Sequence, residues 1–362
     1  MASRRSATAC AFCSATATHA AFIRGRTWRG SHSGDGAASA LAQVTWQTCV
    51  NAAILTPTIV ATYRGSRTMQ TAVGFIGLGV MGTPMALNLA RAGTPLVAWS
   101  RSHGSDNTLR DAGARVAEDI DDVFASCRTV ILMLANDAAI DAVLARGTPG
   151  FAARVGGHTI VNMGTNAPEY SRALADEIAA ASGRYVEAPV SGSRKPAEAG
   201  QLVVMLAGAP EDVDAVRALV KPLCRDSFVC GDVPSALTMK LAVNLFLITM
   251  VTGLTEATHF AQRHGIDLAR FADVLNAGPM ASDVSRVKLG KLVAEDFSVQ
   301  AAITDVLKNA RLVAESARSI GIASPLLDIC HALYGETEQA GHGADDMVAV
   351  IRAIEQRTGD VR

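Results

Sequence analysis

Charge of one sign is the first thing this chain lacks. Its 33 Lys and Arg stand against 34 Asp and Glu, a net charge of −1 over 362 residues. Without a basic surplus there is no field to hold a nucleic acid or another polyanion. An unbroken apolar run is missing too. The longest, Leu241 to Leu254, is interrupted by Asn244, Thr249, Thr252 and Gly253. It is too short and too mixed for a membrane span and reads as a buried helix of a soluble protein. There is no internal repeat and no cysteine framework. Cys127, Cys224, Cys230 and Cys330 are scattered, which suits reduced thiols in the cytoplasm. What the chain does have is length and apolar content, 49% of its residues, enough for two domains with proper cores.

Residues 1–68 differ in composition from the rest. They hold seven Arg, a single acidic residue (Asp35), many Ala, Ser and Thr, and three of the seven Cys. No helical or strand period runs through them. Three readings compete: a spurious or disordered extension before a compact protein starting at Met69, an Arg-rich organelle transit segment, and a site built on Cys10-x-x-Cys13. The cysteine pair lacks a second ligand pair and a surrounding βαβ unit. The extension is the reading adopted, with a cytoplasmic protein as its corollary.

The chain is organised around Val73-Gly-Phe-Ile-Gly-Leu-Gly-Val-Met-Gly82. A short apolar run enters Gly77-x-Gly79-x-x-Gly82, and a helical pattern from Pro84 to Ala92 leaves it, closed by Gly93. A strand turning sharply into a helix needs residues without Cβ at the turn and where helix passes strand. The helix then offers unpaired N–H groups and its positive dipole end to an anion, here a dinucleotide pyrophosphate held by Gly77, Leu78, Gly79, Val80, Met81 and Gly82. A three-glycine match alone can be only a tight turn. The second strand, Leu96 to Trp99, arriving on schedule favours the binding motif.

Alternation continues: a helix over Ala117 to Cys127, a buried strand over Thr129 to Leu134, a short helix including Ile140 to Leu144, a strand at Thr159 to Val161 and a helix over Pro168 to Ala181. Strands at Tyr185 to Glu187 and Leu202 to Leu206 flank a polar connection; a helix over Ala209 to Val220 and a strand at Ser227 to Cys230 close the sheet. This pattern predicts a doubly wound α/β dinucleotide-binding domain over residues 69–233. From Pro234 the period is helical only. Ser235 to Arg263 forms one helix, roughly 43 Å long at 1.5 Å per residue, apolar around much of its circumference and so buried between domains or subunits. Helices over Leu268 to Asn276, Val284 to Leu292, Gln300 to Ser319, Pro325 to Ala340 and Asp345 to Gln356 complete an all-helical domain over residues 234–362. Catalysis belongs in the cleft at the C-terminal edge of the sheet.

Lys240 and Asn244 lie i, i+4 on the long helix and share a face. An ammonium beside an amide at the polar end of an apolar helix suggests a proton donor with an orienting partner. The bland alternative is a solvated lysine at a helix start; Asn244 inside an apolar run argues against it. Pro189-Val-Ser191-Gly192-Ser193-Arg-Lys-Pro196 offers hydroxyls and N–H groups to a small carboxylate, or is an ordinary polar turn. Thr165 falls where a switch-point loop touches ligand. Lys308 faces the same way, or is plain surface.

Four segments, Gly74 to Gly82, Ala188-Pro-Val-Ser-Gly192, Lys240-Leu-Ala-Val-Asn244 and Lys308-Asn-Ala-Arg-Leu312, in this order and spacing resemble the β-hydroxyacid dehydrogenase family. The resemblance covers Met69 to about Glu355. It is closest to the glyoxylate/succinic semialdehyde reductase branch through Val190 to Leu202. It implies Lys240 as general acid/base with Asn244 beside it, Ser191, Gly192 and Ser193 on the substrate carboxylate, and Thr165 and Lys308 at the nicotinamide end of the cleft. The chain departs from the pattern at Asn162 and Gly164, where relatives usually carry Asp and Ser. It departs again at Asn309, usually Asp, and at Ala301, aromatic in the semialdehyde reductases.

The expected activity is therefore NAD(P)-dependent interconversion of a small β-hydroxyacid and its semialdehyde, in a homodimer or homotetramer. A silent dinucleotide-binding scaffold would lack the lysine and asparagine, and an imine reductase usually lacks the lysine. The second strand ends in Ser100-Arg101-Ser102 with no acid before Asp106, which predicts NADPH over NADH. Arg101 can grip a 2′-phosphate with two N–H groups and Ser102 can add a hydroxyl.

Overall fold

The computed structural model describes residues 72–102 and 104–360; residues 1–68, with the readings attached to them, lie outside the described residues. Nine strands form one sheet there: β1 (Val73–Ile76), β2 (Leu96–Trp99), β3 (Arg115–Val116), β4 (Thr129–Leu132), β5 (Thr159–Asn162), β6 (Arg184–Glu187), β7 (Val190–Ser191), β8 (Leu202–Ala207) and β9 (Cys224–Gly231). Eight α-helices connect them: α1 (Gly82–Arg91), α2 (Asp106–Asp111), α3 (Ile120–Ser126), α4 (Asp137–Leu144), α5 (Gly150–Val155), α6 (Pro168–Ala180), α7 (Arg194–Glu198) and α8 (Pro210–Leu219). The sheet order is β3-β2-β1-β4-β5-β6-β8-β7, with β9 paired to β8. The order reverses between β1 and β4, whose parallel register runs Val73 to Thr129 and Ile76 to Leu132. Loops leaving these neighbours diverge and open a crevice at the carboxyl edge.

Period-two alternation covers both faces. Phe75, Ile131, Val161 and Val186 point into a core shared with Met85 and Leu89 of α1. Their neighbours Ile76, Val130, Leu132 and Ile160 point the other way, onto Ile140, Leu174 and Ile178. Fully burying such a side chain contributes about 1.5–3 kcal/mol.

Several features differ from the sequence reading, among them a strand at β3 and a last helix that begins at Ile351 and not Asp345, where Asp346 is extended. The helix expected from Ala117 begins at Ile120, because the Ala117 N–H bonds Ala98 O (2.9 Å) and continues the sheet beyond β3. Asp119 then caps α3 by accepting the Asp122 N–H at 2.8 Å. The sheet is also mixed: β8 runs antiparallel to β6 and β7. Its polar lead-in is a short helix, α7, tied to α1 by Asn88 Nδ2 donating to Ala197 O at 2.8 Å.

Six helices follow: α9 (Ser235–Arg263), α10 (Leu268–Ala277), α11 (Asp283–Val293), α12 (Ile303–Ser319), α13 (Pro325–Thr337) and α14 (Ile351–Asp360), with a 3₁₀ turn, Met347–Val350, before the last. α12 starts three residues later than expected because Ala302 is extended and bridges Asp346. α9 matches its expected span. By length and apolarity it could cross a bilayer. Here it packs against β8, β9, α11, α12 and α13. Thr252, Thr255 and Thr258 fit this helix because each hydroxyl donates to the carbonyl four residues back, at 2.8–2.9 Å. Gly265 (φ +70°) ends it, with the Ile266 N–H returning to Ala261 O. Its burial is one-sided: Met239, Phe246 and Phe260 remain exposed.

Candidate active site

The glycine turn has the shape its sequence requires. Gly77 has φ +105°, and a Cβ there would stand 2.2 Å from Met133 O. A Cβ on Gly82 would stand 1.8 Å from Gly77 O, so α1 can pass β1 this closely only without one. Gly79 is different: nothing lies within 4 Å of its Cβ position. The first turn of α1 has no side-chain cap and no acidic residue. Val80 is exposed beside the partly buried Met81, and Thr83 Oγ1 donates to Leu78 O at 2.8 Å. Open space over Gly79 and an uncapped, acid-free helix start fit a dinucleotide pyrophosphate.

The end of β2 lies alongside. The Gly77 N–H bonds Trp99 O (3.0 Å), and Thr83 Oγ1 shares a 3.0 Å hydrogen bond with Ser105 Oγ. Arg101 and Ser102 are exposed, and neither has a hydrogen-bond or ion-pair partner among the described residues.

On the other side of the crevice, Lys308 of α12 reaches across to the sheet. Its ammonium donates to Thr165 O at 3.1 Å and to Ala135 O, the loops after β5 and β4. Burial lowers its pKa, opposed by the nearby Asp137 and Asp305 carboxylates. Lys308 is therefore not the plain surface residue of the bland reading. Asn162 and Gly164, two departures from the family pattern, each sit in a specific local contact. Asn162 Oδ1 accepts the Gly164 N–H (3.0 Å), while its Nδ2 donates to Asn166 Oδ1 (3.1 Å) and Tyr185 Oη (3.0 Å). An aspartate there could not donate to either. A Cβ on Gly164 would crowd Leu134 O at 3.0 Å.

Ser191 ends β7, and Gly192 follows at φ +130°, with Leu202 Cδ2 2.7 Å from its Cβ position. That conformation turns the chain so that Ser193, without a side-chain capping bond, begins α7. α9 packs against β7 and β8, so the helix bearing Lys240 and Asn244 lies beside the strand bearing Ser191. Lys240 is 8% exposed and Asn244 3%. Neither an ion pair nor a hydrogen bond reaches the Lys240 ammonium among the described residues, and burial pulls its pKa down to about 8. Asn244 Nδ2 is likewise buried without a partner. An unsatisfied buried donor costs about 1–3 kcal/mol. Asn244 Nδ2, beside a lysine ammonium that no described side chain pairs, marks a place built to meet polar ligand atoms. No hydrogen bond joins Lys240 to Asn244, Ser191, Ser193 or Thr165 among the described residues.

Sequence reading missed a buried polar chain beneath this edge. Glu187, at the end of β6 and wholly buried, accepts the N–H groups of Ala236 and Leu237 on Oε2, both at 3.1 Å. Its Oε1 accepts Ser171 Oγ–H at 2.6 Å. The chain continues through Tyr185 and Asn162 to Asn166 and Asp137. The available signal was an acidic residue inside the otherwise apolar run Tyr185-Val-Glu-Ala-Pro-Val190.

Comparison with known proteins agrees with this layout. Residues 72–231 match the NAD binding domain of 6-phosphogluconate dehydrogenase, and residues 235–354 the NAD-binding domain of NADP-dependent 3-hydroxyisobutyrate dehydrogenase. The chain is similar to glyoxylate/succinic semialdehyde reductase 1 of Arabidopsis thaliana: 29% identical over 284 residues, 78% of this chain and 98% of that one. It is also similar to the solved structure of Psf3 in complex with NADP+ and 2-OPP: 26% identity, TM-score 0.71, 78% of this chain and 99% of that one. An imine reductase from Pseudomonas sp. shares the fold more distantly: 22% identity, TM-score 0.53, 79% of this chain and 99% of that one. With both domains matched in order and the glycine turn and lysine helix at the crevice, the chain belongs to the β-hydroxyacid dehydrogenase family of NAD(P)-dependent oxidoreductases.

Proposed function

We propose that this enzyme reduces a small carboxylate-bearing aldehyde to its hydroxyacid, with NADPH preferred over NADH and Lys240 as general acid. The observation that carries the reading is the buried pair Lys240 and Asn244 on α9 beside β7, where Asn244 Nδ2 has no partner and no described acid pairs the lysine. Bound dinucleotide supplies a hydride from nicotinamide C4 to the carbonyl carbon. Lys240 gives a proton from Nζ to the oxygen as it becomes an alkoxide, and its charge stabilises that oxygen beforehand. Solvent reprotonates the lysine afterwards; in the oxidative direction the neutral amine takes the hydroxyl proton. Asn244 donates its free N–H to the same oxygen. Ser191 and Ser193 hold the carboxylate, and the turn at Gly192 sets their spacing. This fixes which carbonyl face meets the cofactor. Lys308 holds the loop of Thr165 at the nicotinamide end.

The relatives named for glyoxylate and succinic semialdehyde support that substrate class. Arg101 and Ser102 support NADPH. Exposed Phe246 and Phe260 on α9, with Val274 and Met280 beyond it, support a homodimer or homotetramer. The protein is proposed to act in the cytoplasm, with no membrane or nucleic-acid partner.

The test is kcat/KM for glyoxylate, succinic semialdehyde, tartronate semialdehyde, 3-hydroxyisobutyrate and L-threonate with both cofactors, in wild type and Arg101→Asp. An Arg–phosphate contact of ~1.5–3 kcal/mol predicts roughly a 10- to 150-fold preference for NADPH, lost in the variant. A wild type favouring NADH, or a ratio unmoved by the substitution, rejects the cofactor assignment. No turnover across the panel rejects the substrate class.

A further inference from the structure

We infer that Glu187 is a positioning residue for Lys240, holding the catalytic helix to the sheet through the first turn of α9. The inference rests on the role given to Lys240 above. Lys240 sits one turn after Ala236, so whatever fixes the Ala236 and Leu237 N–H groups fixes the base from which its side chain projects. A side chain from β6 does this: one Glu187 oxygen accepts both N–H groups at 3.1 Å, and the other is held by Ser171 at 2.6 Å. No side chain of α9 itself caps that turn.

The carboxylate is fixed in its turn. Ser171 Oγ lies 2.9 Å from Tyr185 Oη, which receives Asn162 Nδ2 at 3.0 Å; Ser171, Tyr185 and Asn162 are all buried. Because Asn162 donates to Tyr185 and Ser171 donates to Glu187, Tyr185 donates to Ser171. From Asn162 each bond points toward Glu187, which ends this arm as an acceptor, while on its other side Asn162 donates to Asn166 and Asn166 to Asp137. The same Asn162 holds Gly164, one residue before Thr165. One polar network thus sets both the helix of the proton donor and the loop at the opposite wall of the crevice. Breaking it displaces the two walls relative to each other without touching the glycine turn.

The experiment compares Glu187→Ala, Glu187→Asp and Glu187→Gln with wild type and Lys240→Met. It measures kcat for glyoxylate and succinic semialdehyde, and the Kd of NADPH by fluorescence titration. Glutamine keeps an oxygen for the two α9 N–H groups, and Ser171 can turn to accept its amide. Aspartate keeps the carboxyl group but is one methylene too short to reach α9 and Ser171 together. The expected pattern is a fall in kcat of about 10-fold or more for Ala and Asp, since a displacement near 1 Å costs up to about 100-fold. Gln should retain most of the rate, and NADPH Kd should stay within about 2-fold throughout, the pyrophosphate site being untouched. Should the Ala variant fail to fold, Asp against Gln decides alone. Asp turning over like wild type, Gln falling as far as Asp, or losses of kcat that track losses of NADPH affinity would overturn the inference. Turnover by Lys240→Met would instead overturn the lysine's role, and is read separately.

Discussion

Replacing Lys240 with methionine should produce a protein that is dead and more stable. The side chain is 8% exposed, and no acidic partner offsets its desolvation among the described residues. Burial brings its pKa from 10.5 to about 8, worth about 3 kcal/mol at 1.36 kcal/mol per pH unit. In the unfolded chain the amine holds its proton up to 10.5; in the folded protein it releases it near 8. Between those values the unfolded state binds more protons, so wild-type stability rises with pH across that window and the full cost stands below it. At pH 7 Lys240→Met removes this cost and should be more stable by up to about 3 kcal/mol. By pH 10 most of the difference should be gone. Urea unfolding of both proteins at the two pH values, without dinucleotide, measures it. A packing difference between Lys and Met shifts both gaps equally, so the change in the gap is the informative quantity. Turnover should fall by on the order of 10²–10⁴ at the same time, and wild-type reductive kcat/KM should decline above pH about 8 as the acid form is lost. A variant no more stable than wild type at pH 7, or a gap unchanged at pH 10, would refute the buried, unpaired ammonium.

Lys308→Met removes charged hydrogen bonds from two loop carbonyls; if the equivalent of one such bond, ~1.5–3 kcal/mol, is lost from dinucleotide binding, KM for the dinucleotide should rise roughly 10- to 150-fold while the protein stays folded; an unchanged KM rejects the clasp. Gly79→Ala and Gly82→Ala separate ligand clearance from fold clearance. The first, with open space at its Cβ, should keep the wild-type melting temperature and lose NADPH affinity by calorimetry. The second, facing Gly77 O, should lose both, and equal melting temperatures would contradict the geometry.

The glycine turn, the switch to helices after Pro234 and the span of α9 were legible because each is local. Apolar periods and residues without Cβ betray them whatever surrounds them. β3 was not, since two residues, Arg115 and Val116, carry no period and become a strand only by lying against β2. The antiparallel run of β8 was hidden for the same reason: direction depends on which neighbour pairs, and Leu202 to Leu206 reads alike either way. Within the candidate site, Lys240 and Asn244 stood out because polar residues interrupt an apolar helix. Glu187 was passed over because its partners, Ser171 and the amides of Ala236 and Leu237, are 16 to 50 residues away. The purpose of Lys308 was equally distant, its carbonyl at Thr165 lying 143 residues earlier.

The clasps that close this crevice share a grammar. Lys308 grips the carbonyls of Ala135 and Thr165, and Glu187 grips the amides of Ala236 and Leu237. In each case a side chain holds main chain, and main chain is the same whatever residue it belongs to. The gripped loops and the first turn of α9 are therefore free to change their side chains, and with them the substrate they admit, while the clasp persists. What they cannot absorb is a change in length, which moves the gripped atom out of reach. Specificity in this scaffold should drift by substitution at constant loop length, and a chimera that swaps equal-length segments after β4 or β5 should keep its hydride machinery in register.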